Sequence, residues 1–279
     1  MSVRIVTDSA ADIPRDEAEA LGVEVVPLSI RFGDKEYTDG VDLTVEEFYA
    51  KLAEADELPE TSAPAPGAFD AAFRRQAEAG ADTVVCVDLS GGLSATVQSA
   101  QNAARGLEGE IDVRVVDSRS ITSGLGTHVR LAAQAAAEGA DADEVVALLE
   151  SLKTRTHVLG ALDTLDNLKK GGRIGGAQAM LGSLLSIKPL LDISSGEVEE
   201  AGKARTRRKA LEWLRDQVLA VPEVEHLTVA HGMAPEVEQM VELLSPRFSR
   251  DQLSIATIGP TIGTHGGPRV MGLTWVDPD

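Results

Sequence analysis

Short β-branched runs alternate with helical segments through the first half of the chain, and this alternation constrains the fold more than any other feature. Val3 to Val6 reads as a strand, Thr7-Asp8-Ser9 ends it, and Asp12 with Pro14 offers an N-cap and an early helix position. Gly22 stops that helix, Val23 to Ile30 reads as a second strand, and Gly33-Asp34 suggests the tight turn of a hairpin ending near Tyr37. Thr44 and Glu47 form a capping-box pattern ahead of another helix. The rhythm continues with a helix from Phe69 to Glu78, the strand Thr83 to Val87, a helix from Ser94 to about Arg105 and the strand Val113 to Val116. Helical stretches from Thr122 to Glu138 and Asp143 to Leu152 close this half. Strands separated by helices predict a mainly parallel sheet flanked by helices.

Beyond Lys153 the pattern changes. A strand from His157 to Ala161 and a short helix from Leu165 to Lys170 precede the loop Gly171-Gly172-Arg173-Ile174-Gly175-Gly176, and a helix is expected from Ala177 to Ser186. Strands at Pro189 to Ile193 and at Val198 flank Ser195-Gly196 at hairpin spacing. A helix from Thr206 to Leu219, a strand from Leu227 to Ala230, a helix from Pro235 to Leu244 and two final strands follow. The expected fold is therefore α/β with two domains: a mainly parallel N-terminal sheet in residues 1–155 and a mixed-sheet domain in residues 156–279. The length of 279 residues agrees, because compact domains usually hold about 100–200.

Charge excludes some functions. With 26 basic and 45 acidic residues the net charge is −19, which disfavours nucleic acid and anionic lipid surfaces as partners. Lys203, Arg205, Arg207, Arg208 and Lys209 form a basic exception, either a solvated helix start or a docking patch for an acidic partner. Cys86 stands alone in an apolar run and reads as a structural thiol in a reducing compartment. No segment has the roughly 18 unbroken apolar residues of a membrane span, and the N-terminus lacks a long apolar signal region, so a cytoplasmic protein is expected.

Candidate chemistry gathers where strands end. Thr7-Asp8-Ser9, Asp88-Leu89-Ser90 and Asp117-Ser118 close three expected parallel strands, the edge at which open α/β sheets bind ligands, although each group would equally cap the next helix. Thr61-Ser62-Ala63-Pro64-Ala65-Pro66-Gly67 holds two hydroxyls in a stiffened backbone, either toward a ligand or as a plain turn before a helix. Ser90-Gly91-Gly92-Leu93-Ser94-Ala95-Thr96 brings three hydroxyls to a helix start, a place suited to an anion. His265 falls in what reads as a glycine-rich loop, Gly263 to Pro268. Gly124-Leu125-Gly126 begins a dinucleotide fingerprint without completing it, and the loop at 171–176 lacks the Lys-Ser or Lys-Thr of a phosphate loop, so no nucleotide cofactor is expected. His and Cys spacings predict no metal site.

Taken in order, Thr7-Asp8-Ser9, Thr61-Ser62 with Pro64, Ser90 through Ser99, Asp117-Ser118, Leu168 to Ile174, Ile187-Lys188-Pro189 and His265-Gly266-Gly267-Pro268 resemble the DegV family over essentially the whole chain. The resemblance implies a long-chain fatty acid held between the two domains, and similarity to the lipid-binding subunit of bacterial fatty acid kinase (FakB type). It implies no catalysis by this chain alone: a separate kinase protein would phosphorylate the bound carboxyl group to an acyl phosphate. By the same resemblance Thr61, Ser62, Ser94 and His265 become the carboxylate ligands, and Arg173 and Arg205 face the kinase. Ala95 and Arg269 stand where the family commonly has glycine; Arg269 either adds charge beside the carboxylate or faces solvent. Met180, Leu181, Leu184 and Leu185 are candidates for a tail wall. Two rivals are a serine hydrolase, with Ser94 as nucleophile, His265 as base and Asp8 as orienter, and a binder of some other apolar carboxylic acid.

Overall fold

The computed structural model describes residues 2–180 and 187–279. In the first half, β1 (Val3–Asp8), α1 (Arg15–Leu21), β2 (Glu24–Val26), β3 (Ser29–Phe32), β4 (Lys35–Thr38), α2 (Val45–Glu54) and β5 (Glu60–Ser62) lead to α3 (Pro66–Glu78), β6 (Thr83–Asp88), α4 (Thr96–Gly106), β7 (Asp112–Asp117), α5 (Thr122–Ala137) and α6 (Ala142–Arg155). Strands β2-β1-β6-β7 form a four-stranded, wholly parallel sheet. The strand period of two divides its side chains: Val84 and Cys86 join Phe69, Phe73 and Ala100 under α3 and α4, whereas Val85 and Val87 join Leu125, Val129 and Leu149 under α5 and α6.

The expected strand Val23 to Ile30 divides at Pro27, which has no N–H for a ladder. Glu24–Val26 stays in the parallel sheet, and Ser29–Phe32 enters a second, antiparallel sheet in the order β4-β3-β5. Its third strand, Glu60–Ser62, lies where a turn was expected. The capping box of α2 is present, with Thr44 Oγ1 accepting from Glu47 N at 3.2 Å.

The second half runs β8 (Thr156–Ala161), α7 (Asp166–Lys170), β9 (Lys188–Asp192), β10 (Glu199–Ala204), α8 (Arg207–Ala220), β11 (Glu225–His231), α9 (Val237–Leu244), β12 (Ser254–Thr257), α10 (Pro260–Gly266) and β13 (Met271–Val276). These strands form a mixed six-stranded sheet, order β10-β9-β8-β13-β11-β12. One face, with Leu159, Leu273 and Trp275, packs under α8 and α9. The other turns toward the first half. A 3-10 turn at Gly175–Met180 replaces the start of the expected helix from Ala177; residues 181–186, with Leu181, Leu184 and Leu185, lie outside the described residues, and Met180 is buried. Among the described residues no helix is long and apolar enough to cross a membrane.

Helix α5 joins the halves. It packs on β1 and β6 on one side and on β8, β11 and β13 on the other, and its first eight residues, Thr122 to Val129, are all buried. Its glycines mark close approaches: a Cβ on Gly126 would meet the Ala11 carbonyl at 2.7 Å, and one on Gly124 would meet Val158 at 2.9 Å. Helix packing thus accounts for the incomplete dinucleotide pattern. The largest apolar cluster runs unbroken from Val3, Val85 and Leu125 to Val158, Leu191, Ala230 and Ile258, so both halves share one core.

Candidate functional site

Between the halves lies a mostly apolar chamber. Its floor is the inner face of the six-stranded sheet, where pairing sets Leu191, Gly160, Gly272 and Ala230 side by side across β9, β8, β13 and β11. Within that row Gly160 and Gly272 have no side chain and Ala230 only a methyl, which leaves a trough running across β8, β13 and β11. Leu28, Leu89, Ile121, Leu162, Leu168, Ile193, Ile258 and Ile262 supply much of the remaining wall.

Three separated segments bring polar side chains to the chamber wall. Strand β5 carries Thr61, the turn before α4 carries Ser94, and α10 carries His265; all three line the chamber. Thr61 Oγ1 and His265 Nε2 lie 2.9 Å apart, although 204 residues separate them in sequence. Ser94 Oγ sits 2.8 Å from Thr96 Oγ1 and accepts at 3.3 Å from the N–H of Thr96, the first residue of α4. Helix α4 starts at Thr96, two residues later than expected.

His265 belongs to a helix and not to a glycine loop. Gly259-Pro260 starts α10 with proline in its first turn, and Gly267, at φ 78°, ends it. The many glycines reflect packing: a Cβ on Gly263 would strike Tyr49 Oη at 2.6 Å and Phe48 Cε1 at 2.8 Å. Tyr49 Oη also donates to the Ile258 carbonyl at 3.1 Å, tying α2 to the segment entering α10. On the opposite side, a Cβ on Gly171 would collide with His265 Nδ1, so backbone alone fits beside the ring.

Burial, aided by the positive charge of Arg173, lowers His265 to about 4, and the ring is neutral at pH 7. Its Nδ1 is buried without a partner. Arg173 donates from Nε to the Leu93 carbonyl at 3.2 Å and from Nη1 to the Gly171 carbonyl at 2.7 Å. It therefore lines both the chamber and the open space outside it, and ties the Ser94 turn to the glycine loop. Outside the Thr61–His265 pair lies an open polar vestibule bounded by Asp56, Glu57, Glu60, Lys170 and Arg173. The pair is thus a partition between apolar and polar space.

The other expected site residues go elsewhere. Ser62 is exposed and absent from the chamber wall, because neighbours on a strand alternate faces and Thr61 takes the inward one. Arg205 is exposed between β10 and α8. Arg269, at φ 61°, pairs with Glu236 and Asp163 and is absent from the chamber wall. Ala95 is exposed with ordinary dihedrals, φ −77° and ψ 7°, which require no glycine.

A hydrolase relay is not assembled. Asp8 accepts from Ala10 N at 2.8 Å and Leu89 N at 2.7 Å, Ser94 pairs with Thr96, and His265 pairs with Thr61. Asp8 and Asp88 form a buried carboxyl pair whose lack of solvent pushes both upward, Asp88 well above the usual range. Among the described residues no group of three or more His, Cys, Asp or Glu is arranged to hold a metal ion. Sequence reasoning missed Thr122 and Thr261, two buried threonines farther along the chamber wall. Their positions after Ile121 and Pro260 gave no sign of it.

The class of protein is thus an α/β one in which two sheets, bridged by α5, enclose an apolar chamber with a hydroxyl–imidazole pair in its wall. The chain belongs to the DegV family: the profile described as "Uncharacterised protein, DegV family" matches residues 2–277. It is 36% identical over 278 residues to a DegV domain-containing protein of Listeria innocua and 38% identical over 279 residues to one of Halalkalibacterium halodurans, with 98% of both chains covered in each case. Among solved structures it resembles a fatty-acid-binding DegV family protein of Thermus thermophilus, with 36% identity, a TM-score of 0.91 and 100% of both chains covered. It is also similar to DegV, a fatty acid binding protein from Bacillus subtilis, with 30% identity, a TM-score of 0.86 and 100% of both chains covered.

Proposed function

We propose that this protein is a cytoplasmic carrier that encloses the tail of a long-chain fatty acid in the chamber and binds its carboxylate at Thr61, Ser94 and His265, presenting it to a separate kinase. The observation that carries this is the partition: a hydroxyl–imidazole pair with apolar space behind it and an open polar vestibule in front. Each buried methylene contributes about 0.8 kcal/mol, and a carboxylate leaving water needs donors to replace its hydration. The Ser94 hydroxyl and the one hydrogen that the bonded Thr61–His265 pair leaves free are such donors, and Arg173 adds positive charge nearby. A fatty acid binder from Eubacterium ventriosum, described as stearic acid-binding, has the same fold, with a TM-score of 0.87 at 26% identity.

In the proposed reaction a carboxylate oxygen attacks the γ-phosphorus of a nucleoside triphosphate held by the kinase. The bond to the bridging oxygen breaks, and a nucleoside diphosphate leaves as the acyl phosphate forms. This chain supplies position and hydrogen bonds but no nucleophile. The vestibule, with Lys170 on its rim, is the approach, and exposed Arg205 is the docking residue we assign.

The test is the lipid content of protein purified from bacteria, read by mass spectrometry after denaturation, together with fatty acid retention by Ser94→Ala. Bound fatty acid, with retention about 10- to 100-fold weaker in the variant, is expected from the loss of one hydrogen bond to a charged group. Lipid-free protein that also ignores added fatty acid would sink the proposal.

A further inference from the structure

Thr122 opens α5 with a left-handed backbone, φ 46°, a conformation that a β-branched residue holds only under constraint from its surroundings. Its side chain lines the chamber, the residue is 4% exposed, and its hydroxyl has no hydrogen-bond partner. No side chain caps the N-terminus of α5. Beside it stands Asp12, also left-handed at φ 51°, whose Oδ2 is likewise buried and unpartnered. The Thr122 hydroxyl lies close enough to favour the charged form of Asp12, yet no bond of acceptable geometry joins the two. The nearby Thr261 hydroxyl is already committed, donating to Asp39 Oδ2 at 2.5 Å.

These groups lie part-way down the chamber. Asp12 sits against Gly259, six residues before His265 along α10, which is about 9 Å at the helical rise. Around them the wall is Ile121, Ile258 and Ile262, so an unsubstituted hydrocarbon passing this point would leave Thr122 unmet. A helix N-terminus offers N–H donors, and threonine both donates and accepts.

We propose that the start of α5, with Thr122 as its contact, is a second polar site inside the chamber that selects acyl chains bearing a neutral mid-chain oxygen, a hydroxyl foremost. This rests on the chamber holding an acyl chain by its carboxylate, as above. Among the described lining residues the only cation is Arg173, at the His265 end, so a second carboxylate beside Thr122 would lose its hydration without a counter-charge, which separates hydroxy acids from dicarboxylic acids. Burial pushes Asp12 up to about 8, so at neutral pH it is mostly protonated and places little negative charge behind Thr122.

The test is a competition between octadecanoic acid and mono-hydroxylated octadecanoic acids differing in hydroxyl position, read by native mass spectrometry on delipidated full-length protein. At least one hydroxylated isomer is expected to outcompete the plain acid by about 3- to 10-fold, the worth of one added hydrogen bond. Thr122→Val, which keeps the side-chain shape, should abolish that preference while retaining the plain acid, and Thr122→Ser should keep it. Rejection of every hydroxylated isomer by the wild-type protein, or a preference unchanged in Thr122→Val, overturns the inference. The wild-type competition decides alone should the valine variant fail to fold. Wild-type protein that takes up neither kind of acid overturns the carrier function and this inference with it.

Discussion

Thr61 serves both the fold and the proposed site: it belongs to a three-residue strand, and its hydroxyl lies 2.9 Å from Nε2 of the His265 ring. Thr61→Val keeps the strand and removes the hydroxyl, leaving Nε2 buried without its bond. We expect fatty acid affinity to fall about 10-fold in a fluorescent displacement assay, with Thr61→Ser restoring most of it. Residues like this were legible in sequence only as family motifs, because nothing in a local window relates position 61 to position 265. Ser62 shows the limit of such matching. Its motif position equals that of Thr61, but the pleat of β5 sends it outward, and that alternation is invisible when the segment reads as a turn. Thr122 lies farther still from recognition, since an unmet hydroxyl exists only once its neighbours are in place.

Among the elements, strands and helices with a strong period were legible and the small ones were not. The parallel sheet of the first half follows from apolar runs separated by capped helices. Helix α10 escaped because Gly263, Gly266 and Gly267 look like loop, whereas Gly263 is there to let α10 lie against Phe48 and Tyr49. The floor of the chamber could not be read at all: Gly160, Gly272 and Ala230 are neighbours only through pairing of strands far apart in the chain. That pairing makes a prediction. A Cβ on Gly160 would sit 3.6 Å from Leu162 and 3.9 Å from Ile193, ordinary contact distances, so a side chain fits there at the expense of the trough. Gly160→Val should fold and shift the co-purifying acyl chains shorter by roughly two or three methylenes, the volume that close-packed atoms displace, as mass spectrometry of the extracted lipid would show. Gly272→Ala should instead destabilise by about 1–3 kcal/mol in chemical unfolding, since its Cβ would meet the Leu159 carbonyl at 2.8 Å.

For the molecule as a whole, buried ionisable groups set how stability follows pH. Burial raises Asp8 to about 7 and Asp12 to about 8, so between the ordinary carboxylate range and those values the folded state holds protons that the unfolded chain has released. Their contribution is lost as pH rises through 7 and 8. Burial lowers His128 and His265 to about 4, which works in the opposite sense but only between about 4 and 6.5, as pH falls. Above 6.5 the carboxyl groups act unopposed by these histidines, and a net charge of −19 adds self-repulsion. The melting temperature should therefore be higher at pH 6.5 than at pH 8. Asp12→Asn, which tolerates the left-handed backbone, should flatten part of that slope by differential scanning calorimetry. A melting temperature that climbs steadily from pH 6.5 to 8 would contradict this account.

The apolar cluster that passes unbroken from one half to the other changes what release of a guest requires. Ser90, at the turn before α4, donates to the Gly196 carbonyl of the β9–β10 hairpin at 2.5 Å, which adds a polar tie between the two halves. A hydrocarbon lodged there would have the protein's own interior for most of its walls. Departure is then a brief local opening of the native state, and residence time follows the free energy of that opening more closely than the strength of any one hydrogen bond at the head group.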